Sequence, residues 1–316
     1  MDPGDLLRSS LLQLSKSDRV RDVIEKAPVS RSVVRRFVPG PGRDDVLSAA
    51  AELVGSGRLA TIDFLGEDTR EPEQAARTRD AYVALLTGLR ERGLTASGAV
   101  EVSVKLSALG QALPGTGPEL ALQHARDICA VASEAGTTVT LDMEDSTRTD
   151  PTLEALHALR ADFPTVGAVL QAYLRRTEQD CRDLSYAGSR VRLCKGAYRE
   201  PESVAYLSGT EVDRSFVRCL KVLMQGEGYP MVATHDPRLI EIAGALAAQA
   251  GRGPDSFEYQ MLYGIRPEEQ RRISDRGDRM RVYLPYGDEW YGYLMRRMAE
   301  KPANVLFFLR GLATRG

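Results

Sequence analysis

Residues 229–251 read YPMVATHDPRLIEIAGALAAQAG. The first eight, YPMVATHD, form a short β-rich run ending in polar residues. The remainder spaces apolar residues three and four apart and stops at a glycine, a usual helix end. This is one strand followed by one helix. Working outward, seven further β-rich runs are separated by helical periodicity. Before it come ATIDFLGE (60–67), VEVSVKLSAL (100–109), TTVTLDMED (137–145), VGAVLQAYL (166–174) and RVRLCKGAY (190–198). After it come SFEYQMLYG (256–264) and RMRVYLPYG (279–287). Strands alternating with helices argue a parallel sheet. Eight such units over roughly 250 residues predict an α/β fold of the (β/α)8 TIM-barrel type. An open doubly wound sheet is the alternative, and the missing GxGxxG after the first strand counts against it.

Residues 1–59 precede the first strand. Leu6, Leu7, Leu11 and Leu14, then Val20, Val23 and Ile24, suggest helices with an apolar face, and Val46 to Leu53 reads as another. The expected organisation is a helical arm with an extra helix over 1–59 and a barrel over 60–316. At 43% hydrophobic and 27% charged residues the chain is far from disorder. With 42 basic against 44 acidic residues it has no overall basic footprint for nucleic acid. No run approaches the roughly 18 apolar residues of a spanning helix. The N-terminus lacks a signal-peptide pattern, so a cytoplasmic location is expected. Cys129, Cys181, Cys194 and Cys219 lack CxxC spacing, and the three histidines form neither HxH nor HExxH, so neither disulfides nor a metal site is expected.

Barrel chemistry sits at the C-terminal ends of the strands. The polar residues expected there are Lys105, Asp142, Glu144, Gln171, Arg192, Lys195, Tyr198, Thr234, His235, Gln260 and Tyr283. Each has a plainer reading: Lys105 could cap a strand, Asp142 could anchor a loop, and His235 could be a satisfied structural histidine. Taken together the set is basic, with one strong carboxylate candidate, which suits an anionic ligand. Gly196 and Ala197 offer either close backbone approach to a cofactor or a tight strand end. Near the C-terminus, YGYLMRRMAE (291–300) sets Arg296 beside Arg297. The pair is either a solvated helix edge or a fork that holds one anion from two sides.

Read in order, VSVKLSAL, LDMED, LQAYLRRT, RLCKGAYRE, ATHDPRLI, EYQMLYGI and VYLPYGDEWYGYLMRRMAE give the chain a family likeness. It resembles the proline dehydrogenases, flavoenzymes of proline catabolism, over about residues 60–310. The resemblance implies a barrel whose last helix lies across the mouth, with the segment around Val46–Leu53 filling the vacated outer position. It implies that Arg296, Arg297 and Lys105 hold the carboxylate of L-proline, that Tyr283 and Leu262 pack against its ring, and that Tyr198 flanks the substrate pocket. Asp142 and Arg192 would be the catalytic pair, with the Arg192 guanidinium close to the flavin N5. Met143, Gln171, Arg192, Lys195, Gly196, Ala197, Thr234 and His235 would contact FAD. Glu300, placed with that set, would also fix the rotamers of the two arginines.

The implied reaction is hydride transfer from C5 of L-proline to FAD N5, giving 1-pyrroline-5-carboxylate on the way to glutamate. Electrons would pass to a quinone and the product to a separate 1-pyrroline-5-carboxylate dehydrogenase, because nothing matches the DNA-binding or aldehyde dehydrogenase parts of the fused members. Residue chemistry agrees with this outline: no side chain accepts a hydride, so a cofactor must. A nearby Arg192 or Lys195 favours the negative charge that reduced flavin carries. The N-terminal arm could pack on the barrel, on another subunit, or peripherally on the inner face of the membrane. Two other functions stay open: a lyase forming a Schiff base through Lys105 or Lys195, and a catalytically inactive proline or flavin sensor.

Overall fold

The fold is given by a computed structural model describing residues 35–66 and 69–294. The N-terminal arm, Arg296, Arg297 and Glu300 lie outside the described residues. All eight expected strands are present: β1 (Leu59–Phe64), β2 (Val100–Val104), β3 (Val139–Leu141), β4 (Gly167–Gln171), β5 (Arg190–Cys194), β6 (Tyr229–Ala233), β7 (Glu258–Leu262) and β8 (Met280–Tyr286). Each pairs in parallel with the next, and β8 pairs with β1, so the sheet closes into a barrel in sequence order. The helices α2 (Pro72–Glu91), α3 (Gly117–Glu134), α4 (Thr149–Arg160), α5 (Thr177–Asp183), α6 (Gly209–Gln225), α7 (Pro237–Gln249) and α8 (Pro267–Asp275) occupy the connections. The open-sheet alternative is thereby excluded.

Most strands end earlier than composition suggests. VEVSVKLSAL stops pairing at Val104, and Ser107–Leu109 winds into a 3-10 turn. TTVTLDMED keeps only three strand residues, Val139–Leu141. Past these points the chain must leave the ladder toward its helix, and side chains take over: the Ser107 amide donates to Glu144 Oε1 at 3.1 Å rather than to a neighbouring strand. Strand 8 departs in a different way. Tyr283, expected at its end, stands in the middle of β8, which runs on to Tyr286.

Alternation within the strands sorts the interior. In β2, Val100, Val102 and Val104 face the helices with Leu85 and Leu89 of α2, in one apolar core. Glu101 and Ser103 point inward, where they meet Arg190 and Arg192 of β5. The same period places Glu258 and Gln260 of β7 and Arg281 of β8 inside. Apolar packing between sheet and helices therefore holds the wall, while the barrel interior is largely polar.

Ahead of β1 runs α1 (Arg43–Gly55), the helix expected around Val46–Leu53. It buries Val46, Leu47, Ala49, Ala50 and Leu53 and packs on β1, β8 and α2. Gly88 of α2 leaves room for this, since a Cβ there would lie 3.0 Å from Leu47 Cδ1. On its other side the residues after α1 meet α8: Ser274 Oγ donates to Gly57 O at 2.9 Å, and Arg58 Nη1 to Gln270 Oε1 at 3.1 Å. So α1 sits between α8 and α2, where a (β/α)8 barrel ordinarily sets the helix after its eighth strand. After β8 the chain turns at Gly287, whose φ is +119°, and is helical again from residue 290. No helix among the described residues is long and apolar enough to cross a membrane. Cys129, Cys181 and Cys219 are buried and Cys194 half-buried, all four free.

Candidate active site

The inward side chains near the C-terminal ends of the strands converge on one ionic cluster. Asp142 follows β3 directly, held by its amide to Val104 O at 2.8 Å. Its Oδ1 accepts from Arg192 Nη1 at 2.6 Å and from Ser103 Oγ at 3.0 Å. Its Oδ2 accepts from the Tyr283 hydroxyl at 2.7 Å. Arg192 also donates through Nη1 to Ser103 Oγ at 2.8 Å and through Nε to Gln260 Oε1 at 2.6 Å. Its guanidinium lies 5.5 Å from the centre of the Tyr283 ring, within cation–π range. Only 4% of Arg192 is exposed, yet its Nη2 makes no hydrogen bond among the described residues, and Glu101 Oε1 stands 3.8 Å from it. Burial, reinforced by the adjacent Asp142 charge, raises the Tyr283 phenol well above its ordinary range, so its proton stays in place as a donor.

Beside this cluster, Lys105 Nζ donates to Asp63 Oδ2 at 2.6 Å, and Tyr82 OH donates to Ser103 O at 2.7 Å, 3.3 Å from Asp63 Oδ1. Burial raises the Asp63 carboxyl; Lys105 opposes the rise and Asp142 adds to it. Below lies a second ionic layer, in which Glu101 faces Arg190 at 2.7 Å and Glu258 faces Arg281 at 2.7 Å. Burial alone would raise the Glu101 carboxyl, but Arg190, Arg281 and Arg192 outweigh it and bring it down to about 2. Burial likewise works against the Arg281 charge, and Glu101 and Glu258 outweigh that and raise its pKa.

Other candidates ring this centre. His235 Nε2 accepts from the Leu262 amide at 2.9 Å, so the neutral imidazole carries its proton on Nδ1. Thr234 Oγ1 accepts from the Asp236 amide at 3.1 Å. Gln171 donates to Glu144 O at 2.7 Å, tying the rims of β3 and β4 together. Lys195 is ion-paired with Asp213 at 2.5 Å and Asp236 at 3.4 Å, out on the rim. Met143 is buried in the main apolar core, and Tyr198 packs on Tyr173 and Leu174. The sequence reading gave no role to Asp63, Ser103, Glu101 or Glu258. For the three carboxylates the available signal was a charge within a largely apolar strand, which burial obliges to find a partner; for Ser103 there was no such signal.

Gly196 has φ +105°, and a Cβ on it would meet Tyr173 Cδ1 at 2.1 Å. Its freedom is needed against that ring, which in turn reaches Glu200, the acceptor for the Ser146 amide at 2.7 Å. Gly196→Ala is therefore expected to cost about 1–3 kcal/mol in backbone strain alone. Thermal denaturation should show the midpoint falling by several degrees, and an unchanged midpoint would show that the rim yields freely.

A closed (β/α)8 barrel with the Asp142–Arg192 and Asp63–Lys105 ion pairs toward the C-terminal ends of its strands has its charged side chains where barrel enzymes keep their active sites. Residues 46–310 match the family model described as proline dehydrogenase, and the chain belongs to the proline dehydrogenase family. It is 37% identical over 307 residues to Proline dehydrogenase 1 of Bacillus subtilis (strain 168), covering 97% of this chain and 99% of that protein. To the Proline dehydrogenase of Deinococcus radiodurans it is 37% identical over 309 residues, covering 97% and 98%. Among solved structures, proline utilization A (PutA) from Bdellovibrio bacteriovorus inactivated by N-propargylglycine aligns with TM-score 0.82 and 25% identity. That alignment covers 93% of this chain and 36% of the PutA chain.

Proposed function

We propose that the protein oxidises L-proline to 1-pyrroline-5-carboxylate, with FAD as cofactor and a quinone as electron acceptor, and that a separate dehydrogenase takes the product onward to glutamate. The observation that carries this reading is the Asp142–Arg192–Tyr283 cluster, closed by bonds of 2.6 and 2.7 Å inside a barrel of this family. FAD, when bound, supplies the two-electron acceptor that no side chain provides. The residues fit such a group. Arg192 is a buried cation whose Nη2 makes no hydrogen bond among the described residues, His235 carries its proton on Nδ1, and Gly196, whose missing side chain makes room for Tyr173, presents its backbone at the rim. Met143, Gln171, Lys195, Ala197 and Thr234 would complete the holding set.

Lys105 is the described cation best suited to the substrate carboxylate, and Asp63 holds its ammonium in place at 2.6 Å. Tyr283 and Leu262, register partners on β8 and β7, would bound the ring, with Tyr198 at the pocket's flank and Arg296 and Arg297 adding charge from beyond the described residues. The C5–N bond yields its electrons most readily when the nitrogen is a neutral amine. Lys105 and Arg192 near the substrate lower the pKa of its ammonium, since like charges disfavour the protonated form. Proline turnover by a soluble quinone is thus expected to rise from neutral toward mildly alkaline pH, with bleaching of the bound flavin on adding proline. A rate that falls over that range would contradict the neutral-amine step. Release of a nicotinamide, or of no cofactor, from an active preparation would overturn the flavin. A Schiff-base lyase is less well supported, because Lys105 stands in an ion pair where that chemistry needs a free amine lone pair. An inactive sensor would bind proline without turnover.

A further inference from the structure

Beneath Arg192 the barrel interior contains a chain of groups that the proposed oxidation does not itself require. Arg281 Nε donates to Glu258 Oε1 at 2.7 Å. Gln260 Nε2 donates to the same oxygen at 2.6 Å. Gln260 Oε1 then accepts from Arg192 Nε at 2.6 Å. Gln260 and Glu258 are 3% and 0% exposed. We infer that Gln260, oriented by Glu258, is a positioning residue that fixes the plane of the Arg192 guanidinium for proline oxidation.

The amide's orientation follows from its neighbours. A carboxylate only accepts and a guanidinium only donates, so nitrogen must face Glu258 and oxygen must face Arg192. Among side chains of this length, a neutral amide satisfies both at once. Glutamate here would confront Glu258, while lysine or arginine would confront Arg192. Neutrality has a second effect. Arg192 is gripped at Nε by a neutral oxygen, leaving Asp142 as its close carboxylate among the described residues at 2.6 Å and Glu101 farther off at 3.8 Å. More of its positive charge therefore remains available to the acceptor side of the reaction. Without the bond to Gln260, Nη1 alone would hold the group, and the guanidinium could turn so that Nη2 settles on Glu101, deeper in the barrel.

The inference rests on the proposed proline oxidation, and the experiment separates the two. Wild-type protein, Gln260→Met and Gln260→Glu are assayed with proline and with proline deuterated at C5, alongside thermal denaturation and flavin content. Gln260→Met keeps an unbranched side chain of similar length but offers Arg192 no oxygen. Its kcat is expected to fall about 10- to 100-fold, the loss of one charge-assisted hydrogen bond. Its KM should stay within a few-fold, and its deuterium isotope effect should exceed that of the wild type. Gln260→Glu keeps an acceptor for Arg192 but sets a second carboxyl against Glu258, which Arg281 and the Tyr229 hydroxyl also face, and two carboxylates held this close favour a shared proton. That proton is held at lower pH and lost as pH rises, so its kcat profile should gain a falling alkaline limb absent from the wild type.

If Gln260→Met lowers only the melting temperature, or raises only KM, with kcat and isotope effect unchanged, the positioning role is overturned and Gln260 is packing. If Gln260→Met does not fold, the glutamate variant decides: a pH profile superposable on the wild type overturns the role. A wild type without proline turnover would instead overturn the proposed oxidation.

Discussion

Replacing Arg192 by leucine is expected to lower proline turnover about 10²–10³-fold, the usual cost of removing a preorganised charge from a reacting centre. The same change strips Asp142 Oδ1 and Ser103 Oγ of the Nη1 donor and leaves the Gln260 oxygen facing an apolar side chain. Asp142 keeps the Tyr283 hydroxyl at 2.7 Å, so the fold survives with stability reduced by about 3 kcal/mol, near the lower end for breaking a buried pair. Arg192→Lys is the informative companion. It restores the charge, but an ammonium cannot reach Gln260, Ser103 and Asp142 with a planar fork, so it should recover less than about a tenth of the lost rate. Steady-state kinetics with flavin-normalised enzyme checks both variants. A leucine variant with wild-type kcat would remove Arg192 from the chemistry altogether.

The second large effect concerns stability. Arg281→Met removes the guanidinium that bonds Glu258 at 2.7 Å and lies 3.9 Å from Glu101, leaving buried carboxylates with one cation fewer. The loss should be about 3–5 kcal/mol at neutral pH, measured by urea denaturation. Its pH dependence has a definite sign. The Glu101 carboxyl is depressed from 4.5 to about 2 in the folded protein. The stability it contributes is therefore present above pH 4.5 and lost as pH falls toward 2. Removing Arg281 weakens that depression, so the gap between wild type and variant should narrow over this window. A gap independent of pH would assign the loss to packing instead.

Particular residues show what the sequence made legible. The eight strands and α1 could be read because their evidence is local: a run of Val, Leu and Tyr, then a helical period. Asp142, Arg192, Lys105 and Tyr283 could be read because barrel geometry fixes where polar strand residues must gather. Asp63 escaped that reading. ATIDFL shows one carboxylate among mostly apolar neighbours, and the lysine that explains it lies 42 residues onward. Gln260 stood among the polar strand residues without a role, since the meaning of an amide depends on which group faces each end, and that is set across the barrel. Strand ends were overextended for a similar reason: KLSAL and KGAY continue β-rich runs without a clear break, but ladder pairing stops where the neighbouring strand turns away. Arg296, Arg297 and Glu300 lie outside the described residues, so the fork reading of the arginine pair stands as an expectation.

Because α1 fills the place beside β8, the wall of the barrel is sealed by its two most distant parts. Arg281 reaches Ala60 O at 2.8 Å across 221 residues of sequence. A contact that distant must overcome the loop-closure entropy of nearly the whole ring before it gains anything. During synthesis α1 and β1 emerge well before β8 and wait for it, their edges toward it unsatisfied. Intermediates lacking that seam should be the slow, aggregation-prone species on the folding route. Substitutions along the seam should therefore act mainly on the late closing step of refolding, while those between neighbouring units, such as β4 with β5, act on the early ones.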